Sequence, residues 1–400
     1  MSIAVPDSPR SSAAGALPGA FVLACFGLCV AHAVYLAAAF AYGSWLIGPD
    51  GQARPQDFVN VWAAGRLVLD GQPAAAYDWT VHKQMQDAAI GHGFPGYYQW
   101  PYPPPFLFVA AVLALFPYVA AYAGWVALTF PLYATTMRAI VGDRIGYLLA
   151  GAFPAVLANA VAGQNGFVTA ALLGGTLGLM EKRPVLAGCC LGLLTYKPHF
   201  GILFPFVLIA GCRWTVFWTA AAVGALLALA SWLAFGTAPW VAFFHSLTVT
   251  SQVFLSEGQA SFDKFQSLYG LVRTVGGSEF LGWSLHLPFA VAIAVAVCVL
   301  WRSDAPFDMK AAALGVGAVL ATPYAYLYDL VILAVPVAFL VRAILSDGPR
   351  TGEMAGLAAV AALLFGYPFV QAPVGLVAAV IVAVLIARRS LDSSRLPVPA

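Results

Sequence analysis

The sequence predicts an all-α polytopic membrane protein, and both its composition and its long apolar runs support this. Hydrophobic residues make up 62% of the 400 residues and charged residues only 9%, against about 25% charged residues in soluble domains. A soluble fold of this length could not bury so much apolar surface, so a bilayer is the expected solvent. The net charge of +2 gives no reason to expect a nucleic-acid partner.

Apolar runs that are long enough to cross the bilayer occur along the whole chain, at residues 17–42, 121–138, 145–162, 164–181, 184–199, 214–236, 283–302, 309–325, 328–346, 354–370 and 373–388. The run 200–212 is only marginally long enough to cross the bilayer. The run from Pro103 to Pro117 is shorter than the ~20 residues that a crossing needs, and proline bounds it on both sides. We therefore expect about 12 transmembrane helices, within a range of 10 to 13.

The chain is predicted to be a single transmembrane domain, residues 13–389, between two disordered cytoplasmic tails, residues 1–12 and 390–400. Both tails are rich in Ser, Pro and Arg. The first apolar stretch, Ala13 to Ala41, is too long for the core of a signal peptide and is interpreted as a retained span. The six cysteines lie within or beside apolar runs, so we interpret them as helix residues that form neither a metal site nor a disulfide.

The distribution of Lys and Arg predicts the orientation. If the N-terminus is cytoplasmic and residues 103–117 dip into the membrane without crossing, 13 basic residues lie inside and 6 outside, as the positive-inside rule requires. A full crossing there would flip every later loop and largely remove the bias. Every polar cluster then falls on the outer side, where two long segments, residues 43–102 and 237–282, contain interfacial helices. The inner basic loops are interpreted as topology signals only.

The first polar cluster, residues 57–71, is predicted to be a short amphipathic helix at the outer interface. Asp57 occupies its N-cap position and Gly71 lies just past its end. Asp57 either caps this helix or is a carboxylate held at the membrane surface as a general base. Arg66 either pairs with an anionic head group or is a solvated interface residue.

Three further clusters each have a structural and a functional interpretation. Residues 97–105, rich in Tyr and Pro, form either an aromatic belt beside a turn or a carbohydrate subsite. The polar break at residues 162–166 is either a tight turn or part of a site. Lys197 ends an apolar run, where a lysine is costly unless it is paired or reaches the head groups, and it suits a phosphate partner. The adjacent His199 is either a satisfied interface histidine or a ligand contact.

The last two clusters lie in the second half of the chain. Residues 261–268, which include Lys264 and Gln266, are either a solvated loop or part of the site. Asp329, which follows Tyr328, begins a span and either caps it or has a function, since an ionisable group at the membrane edge is a functional candidate. Together the clusters place two carboxylates, several cations and many aromatic rings on one side of the membrane. This combination suits chemistry on a lipid that carries a phosphate and a sugar.

These residues also resemble a known family, glycosyltransferase family 87, over roughly residues 20–345. The resemblance rests on motifs in a characteristic order: Asp57-Phe58 through Tyr77-Asp78, Tyr102-Pro103-Pro104, Gly163-Gln164-Asn165, Lys182-Arg183, Leu186-Ala187-Gly188, Lys197-Pro198, Gln266-Ser267-Leu268 and a turn centred on Pro323. Relatives often carry histidine after this turn, where the present chain has Tyr328-Asp329.

The resemblance implies a GT-C-type fold and inverting transfer of a hexose, usually mannose, from a polyprenyl-phosphate donor. The acceptor would be a lipid or glycan at the outer, periplasmic face of the plasma membrane. It also implies that the first-loop aspartate, Asp57, is the base. A donor without a diphosphate has less need of a metal, and the sequence has no DxD-type carboxylate pair, so neither metal nor cofactor is expected. Donor-phosphate binding is predicted for Lys197, Lys264 and Arg66, and substrate binding for Trp62, Tyr102, Gln164, Asn165, His199, Gln266, Tyr328 and Asp329.

Two other function classes are compatible with such a chain. One is a lipid-linked glycan polymerase or ligase, which would use an oligosaccharide carrier. The other is a secondary transporter or flippase, which would show inverted repeats and polar groups near the middle of the membrane. The clustering of polar groups toward one face, with no evident inverted repeat, favours the transferase.

Overall fold

The computed structural model describes residues 17–258 and 261–393. The regular secondary structure of these residues is helical, and their β-pairing is limited to one isolated antiparallel bridge between Ile47 and Ala53. The predicted N-terminal tail lies outside the described residues. The last helix continues to Ser393, so the first four residues of the predicted C-terminal tail are helical. Residues 394–400, the rest of that tail, lie outside the described residues.

The α-helices in chain order are α1 (Gly19–Ala41), α2 (Phe58–Leu69), α3 (Trp79–Ile90), α4 (Leu107–Leu113), α5 (Tyr118–Val141), α6 (Ile145–Ala152), α7 (Ala155–Ala162), α8 (Gly166–Leu179), α9 (Pro184–Leu193), α10 (Pro198–Gly201), α11 (Phe204–Ala210), α12 (Trp214–Phe235), α13 (Ala238–Thr250), α14 (Leu268–Thr274), α15 (Glu279–Arg302), α16 (Phe307–Leu320), α17 (Ala334–Asp347), α18 (Glu353–Val370) and α19 (Val374–Ser393). Short 3-10 helices span Pro73–Tyr77, Pro104–Phe106, Leu194–Tyr196, Phe262–Lys264 and Leu327–Leu333, and a π-helix spans Ser251–Ser256.

The protein is a multi-pass membrane protein. Within the described ranges, six helical segments are long and apolar enough to cross a bilayer: Gly19–Ala41, Trp214–Phe235, Glu279–Arg302, Leu327–Asp347, Glu353–Val370 and Val374–Leu391. Two bent helix pairs raise this number to as many as eight. Four further apolar helices are shorter: Phe58–Leu69, Gly166–Leu179, Pro184–Tyr196 and Pro198–Ala210. The expected twelve crossings therefore stay a prediction.

Both bent pairs occur where proline interrupts an apolar run. The predicted span 145–162 is broken between α6 and α7 by a bend of 65°, because Pro154 has no N–H to continue the hydrogen bonds of α6. The segment Pro104–Leu113 is bent by 112° from α5. That is the geometry of a broken span or of a re-entrant loop, and residues 103–117 were expected to form a re-entrant segment.

A buried centre and a lipid-facing periphery divide the helices. Most residues of α8, α16 and α17 are buried. By contrast, only 11% of the apolar windows of α1, α12 and α15 is buried within the protein. Exposed apolar side chains are stable in a bilayer, because lipid tails are as apolar as leucine. The periphery therefore fits contact with lipid.

The helices connect two ends of the molecule with different character. We call one the loop end; it carries the long segments at residues 42–106 and 236–278. We call the other the basic end; it consists of the short loops at residues 142–144, 180–183, 211–213, 303–306 and 348–352. The centre helix α8 has 14 residues and runs from the loop end to the basic end.

The basic end contains a buried ion cluster, which corrects the interpretation of its charges as topology signals only. Arg389 is 2% exposed and lies 2.8 Å from Glu353 and 3.2 Å from Asp347. It also donates to the Ala343 carbonyl at 2.6 Å. Since a buried charge needs such partners, this cluster joins α17, α18 and α19.

Helix α2 is enclosed by protein on most sides, whereas the sequence predicted an amphipathic helix lying at the interface. Its first residues, Phe58 and Val59, are fully buried. Gly65 allows α4 to approach closely, since a Cβ at this position would overlap the Ala110 carbonyl group. The predicted end of the helix is confirmed, with Gly71 just past it at φ 76°, a conformation that glycine adopts without strain.

The variant Gly65→Ala is expected to lower the thermal unfolding temperature, because α2 and α4 would have to separate. Overpacking of this kind costs about 1–3 kcal/mol. Unfolding of the protein in nanodiscs, followed by intrinsic fluorescence, measures the effect. Gly27→Ala is the matched control, because a Cβ there meets nothing within 4 Å. Equal unfolding temperatures for the two variants would contradict the close approach.

Candidate active site

A cavity of about 1060 Å³ lies at the loop end. This volume is slightly larger than the range of about 300–1,000 Å³ that is usual for sites of drug-sized ligands. Eight of the twelve predicted site residues line it: Asp57, Tyr102, Gln164, Lys197, His199, Lys264, Tyr328 and Asp329. Residues that lie far apart in the sequence thus meet around one space.

Asp57 occupies the N-cap position of α2, but its side chain makes no capping hydrogen bond. Instead its Oδ2 accepts a hydrogen bond of 3.0 Å from Nε2 of Gln164. Burial raises the pKa of the Asp57 carboxyl group, and the hydrogen bond from Gln164 and the charge of Lys264 partly offset this rise. The geometry therefore does not support the simple capping interpretation and presents a carboxylate of raised basicity to the cavity.

Gln164 owes its position to a glycine turn between α7 and α8. Gly163 has φ 66°, and a Cβ there would lie 2.5 Å from a ring carbon of Tyr122. The Oε1 atom of Gln164 accepts from the Tyr102 hydroxyl at 3.1 Å, while its Nε2 donates to Asp57. The amide oxygen thus has a donor and the amide nitrogen an acceptor. The series of hydrogen bonds from Tyr102 through Gln164 to Asp57 fixes the position of the carboxylate.

Lys197 and Asp329 form a buried ion pair, with Nζ 2.6 Å from Oδ1 and side chains 7% and 3% exposed. The other carboxylate oxygen of Asp329 accepts from the backbone N–H of Tyr326 at 3.2 Å, at the start of the 3-10 helix Leu327–Leu333. Asp329 therefore acts as a cap and as a charge partner together. The rings of Phe200 and Tyr328 each lie 5.9 Å from Nζ, so the ammonium group is enclosed.

Lys264 differs from Lys197 in its surroundings. It is exposed toward the cavity, and no carboxylate within residues 17–258 and 261–393 forms an ion pair with it. Gln266, predicted to bind substrate, lies behind it and fixes the loop. Its Nε2 donates to the carbonyl of Asp263 at 2.8 Å, and its Oε1 accepts from the N–H of Gly375 at 2.8 Å.

Three other predicted residues do not line the cavity. Arg66 forms an exposed ion pair with Asp70 at 3.0 Å. Trp62 donates from Nε1 to the Phe116 carbonyl at 2.9 Å and so connects α2 to the chain before α5. Asn165 is 2% exposed, and its carbonyl oxygen accepts from the Thr169 hydroxyl in the first turn of α8.

Cavity residues from α3, α13 and α18 were not predicted from the sequence. These include Trp79, Leu247 and Tyr367. Tyr367 donates to Asp263 at 3.3 Å and thereby connects α18 to the loop that carries Lys264. A single aromatic residue at a helix end has no local pattern to mark it, because aromatic residues are common at both membrane interfaces.

The arrangement offers one carboxylate as a base, one accessible cation and one neutralised ion pair. Among residues 17–258 and 261–393, no group of three or more His, Cys, Asp or Glu side chains could hold a metal ion. The chemistry that these groups can perform themselves is proton removal by Asp57 and stabilisation of an anion by Lys264.

Comparison with known proteins adds one finding. The model of glycosyltransferase family 87 matches residues 100–323, a stretch that includes Tyr102, Gln164, Lys197 and Lys264. Neither the curated proteins nor the solved structures contain a match, so the GT-C-type fold stays a prediction. Because the family match covers more than half of the 400 residues, the chain belongs to glycosyltransferase family 87.

Proposed function

We propose that this glycosyltransferase moves a hexose, which the family resemblance indicates to be mannose, from a polyprenyl-phosphate donor to a lipid or glycan acceptor with inversion. The observation that supports this most is the half-buried carboxylate of Asp57, which faces a large cavity that also contains an accessible cation, Lys264. A sugar phosphate needs both groups, the carboxylate for the acceptor and the cation for the leaving group.

Asp57 is the proposed general base. One of its oxygens is held by Gln164, and the other can accept the proton of the acceptor hydroxyl. The acceptor oxygen forms a bond to the anomeric carbon while the bond from that carbon to the phosphate oxygen breaks, and the electron pair leaves with the phosphate. The proton ends on Asp57. Burial, which raises the pKa of this carboxyl group, makes it a better base.

Lys264 is the proposed principal contact of the donor phosphate. The negative charge that grows on the leaving phosphate is stabilised by a nearby cation, and Lys264 is not neutralised by any described carboxylate. Lys197 is already paired with Asp329. We therefore assign it a secondary role at the donor phosphate, which it would exert as a member of this ion pair. Arg66 lies outside the cavity beside Asp70, and we leave it out of the phosphate site.

The proposed location is the plasma membrane, with the cavity facing the exterior. The basic end of the molecule carries the short loops with Lys182, Arg183 and Arg213, and basic loops remain in the cytoplasm. The loop end, with Asp57 and Lys264, then faces the opposite side. A lipid-linked donor suits a cavity built into a multi-pass membrane protein.

The first test is transfer from radiolabelled polyprenyl-phosphate mannose to endogenous lipids in sealed vesicles that contain the protein. A labelled lipid-soluble product without movement of label across the membrane is expected. Movement of label without transfer would indicate a transporter instead. Transfer only from an oligosaccharide carrier would indicate a polymerase or ligase.

The variant Gln164→Leu is expected to shift the acid limb of the pH profile of kcat/KM to higher pH. The hydrogen bond from Gln164 stabilises the charged form of Asp57 and lowers its pKa. Without it the pKa rises, and the base becomes deprotonated only at higher pH. A profile from pH 4 to 9, measured for wild type and variant, checks the direction. A shift to lower pH would contradict the assigned role of Gln164.

A further inference from the structure

The basic end carries two neighbouring arginines, Arg138 and Arg144, that differ from the paired cations around them. Both are exposed, and among the residues that the structure describes neither side chain forms an ion pair or a hydrogen bond. By contrast, Arg342 at the same end pairs with Asp308 at 3.1 Å. The positive charge of the two arginines is therefore available to a partner from outside the chain.

The turn between α5 and α6 brings the two arginines together. Helix α5 ends at Gly142, which has φ 80° and donates from its N–H to the Arg138 carbonyl at 2.9 Å. Helix α6 then packs directly on the backbone of α5, since a Cβ on Gly146 would lie 2.5 Å from the Cα of Arg138. Arg144 lies two residues before Gly146, so both arginine side chains leave the backbone within one compact turn.

The carboxylate in this turn does not neutralise the arginines. Asp143 accepts from the N–H of Ile145 at 2.8 Å and so caps α6. Two unpaired cations in one turn repel each other, and an arginine close to apolar surroundings is costly unless it reaches the head groups. The helix dipole favours a cation in the last turn of α5, but it needs neither the second arginine nor an exposed side chain. An anion held by both side chains would remove the repulsion.

The exposed face of α5 before Arg138 is apolar. Leu128 is 77% exposed and Leu132 49% exposed, and the hydroxyl of Thr135 donates to the Pro131 carbonyl at 2.8 Å, so it needs no water. From Leu128 to Arg138 the helix rises about 15 Å at 1.5 Å per residue, which is half of the ~30 Å hydrocarbon core. The apolar face therefore matches the depth of one leaflet, with Arg138 at its head-group edge.

From this arrangement we propose that the α5–α6 turn binds an anionic phospholipid of the leaflet at the basic end. Arg138 and Arg144 contact its phosphate, and an acyl chain lies along Leu128 and Leu132. Guanidinium groups suit this partner, because their N–H groups can pair with two phosphate oxygens at once. The site lies at the other end of the helices from the cavity, so the inference does not depend on the proposed sugar transfer.

The test compares two lipids that differ only in the head group. The protein, purified in detergent, is titrated with dioleoyl phosphatidylglycerol and with dioleoyl phosphatidylcholine, and native mass spectrometry gives the two Kd values. Because one basic residue near an anionic surface contributes about fivefold, the wild type should prefer the first lipid by about 25-fold. Arg138→Gln and Arg144→Gln should each lower this preference about fivefold, and the double variant should show almost none.

A charge-matched control separates a site from a diffuse positive field. Lys182 and Arg183 are also exposed at the basic end, in the loop between α8 and α9. The double variant Lys182→Gln with Arg183→Gln removes the same charge and should keep the wild-type preference. Equal losses in the two double variants, or no loss in the arginine variants, would overturn the site. Each single arginine variant gives the same test should the double variant fail to fold.

A competition experiment distinguishes a lipid from a soluble anion. Glycerol 3-phosphate has the phosphate but no acyl chains, so a tenfold excess should leave phosphatidylglycerol bound to the wild type. Retention of the lipid supports the role of the apolar face of α5. Displacement would overturn the lipid site and indicate a site for a soluble phosphate.

Discussion

Asp57→Asn is expected to reduce sugar transfer by about 10²–10⁴-fold, the usual contribution of a general base. The asparagine keeps the size of the side chain, and its carbonyl oxygen can still accept from Nε2 of Gln164, as Oδ2 of Asp57 does at 3.0 Å. The fold and the donor site should therefore persist while proton removal is lost. Transfer from radiolabelled polyprenyl-phosphate mannose, at equal protein levels, measures the effect.

A matched control comes from the same segment of the chain. Asp50 is an exposed carboxylate 3.8 Å from Arg54 and lies outside the cavity lining, so Asp50→Asn should retain activity close to that of the wild type. Donor binding, measured by competition with unlabelled donor, should be similar in Asp57→Asn and the wild type. Retained turnover in Asp57→Asn would remove Asp57 from the base role.

Breaking the ion pair between Lys197 and Asp329 is expected to have the largest effect on stability. Lys197→Met would leave the carboxylate of Asp329 buried without its partner, and removing one member of a buried pair costs about 3–5 kcal/mol. The double variant Lys197→Met with Asp329→Leu removes both charges and should recover much of that loss. Unfolding in mixed micelles with increasing SDS measures both variants.

The exposed pair of Arg66 and Asp70 provides the comparison. Its side chains are 47% and 33% exposed, and exposed pairs typically contribute about 0–1 kcal/mol. Arg66→Met should therefore hardly change the midpoint of unfolding. A midpoint shift for Lys197→Met as small as that for Arg66→Met would show that Lys197 is solvated and that the buried pair is not formed.

The sequence predicts the membrane-protein class and several polar residues of the cavity, and the reason is physical. Polar groups are costly in apolar surroundings, so those that occur there mark either a turn or a function. This is why Asp57, Gln164 and Lys197 stand out in the sequence, and all three line the cavity.

The contacts among these residues could not be predicted. Lys197 and Asp329 are 132 positions apart, and no local period relates them. Trp79 and Tyr367 look like any aromatic residue at a helix end, so their place in the cavity depends on tertiary packing.

The effect of a proline on a helix is also hard to predict from the sequence. Pro154 breaks the predicted span 145–162, yet Pro131, Pro288 and Pro368 each lie inside a continuous helix. The missing N–H is the same in all four cases. Packing of neighbouring helices decides whether the helix resumes in the same direction, and this information lies elsewhere in the chain.

The short centre helix α8 has a consequence for the proposed reaction with a lipid-linked donor. With 14 residues it is about 21 Å long at 1.5 Å per residue, whereas the hydrocarbon core of a bilayer is about 30 Å thick. It begins beside Gln164 and ends near the exposed Lys182 and Arg183, which belong at the membrane surface. With Lys182 and Arg183 placed at one head-group plane, we expect Asp57 to lie several ångströms below the opposite plane. In the proposed reaction, the prenyl chain of the donor would then remain dissolved in the leaflet, and no energy would be needed to pull it into water.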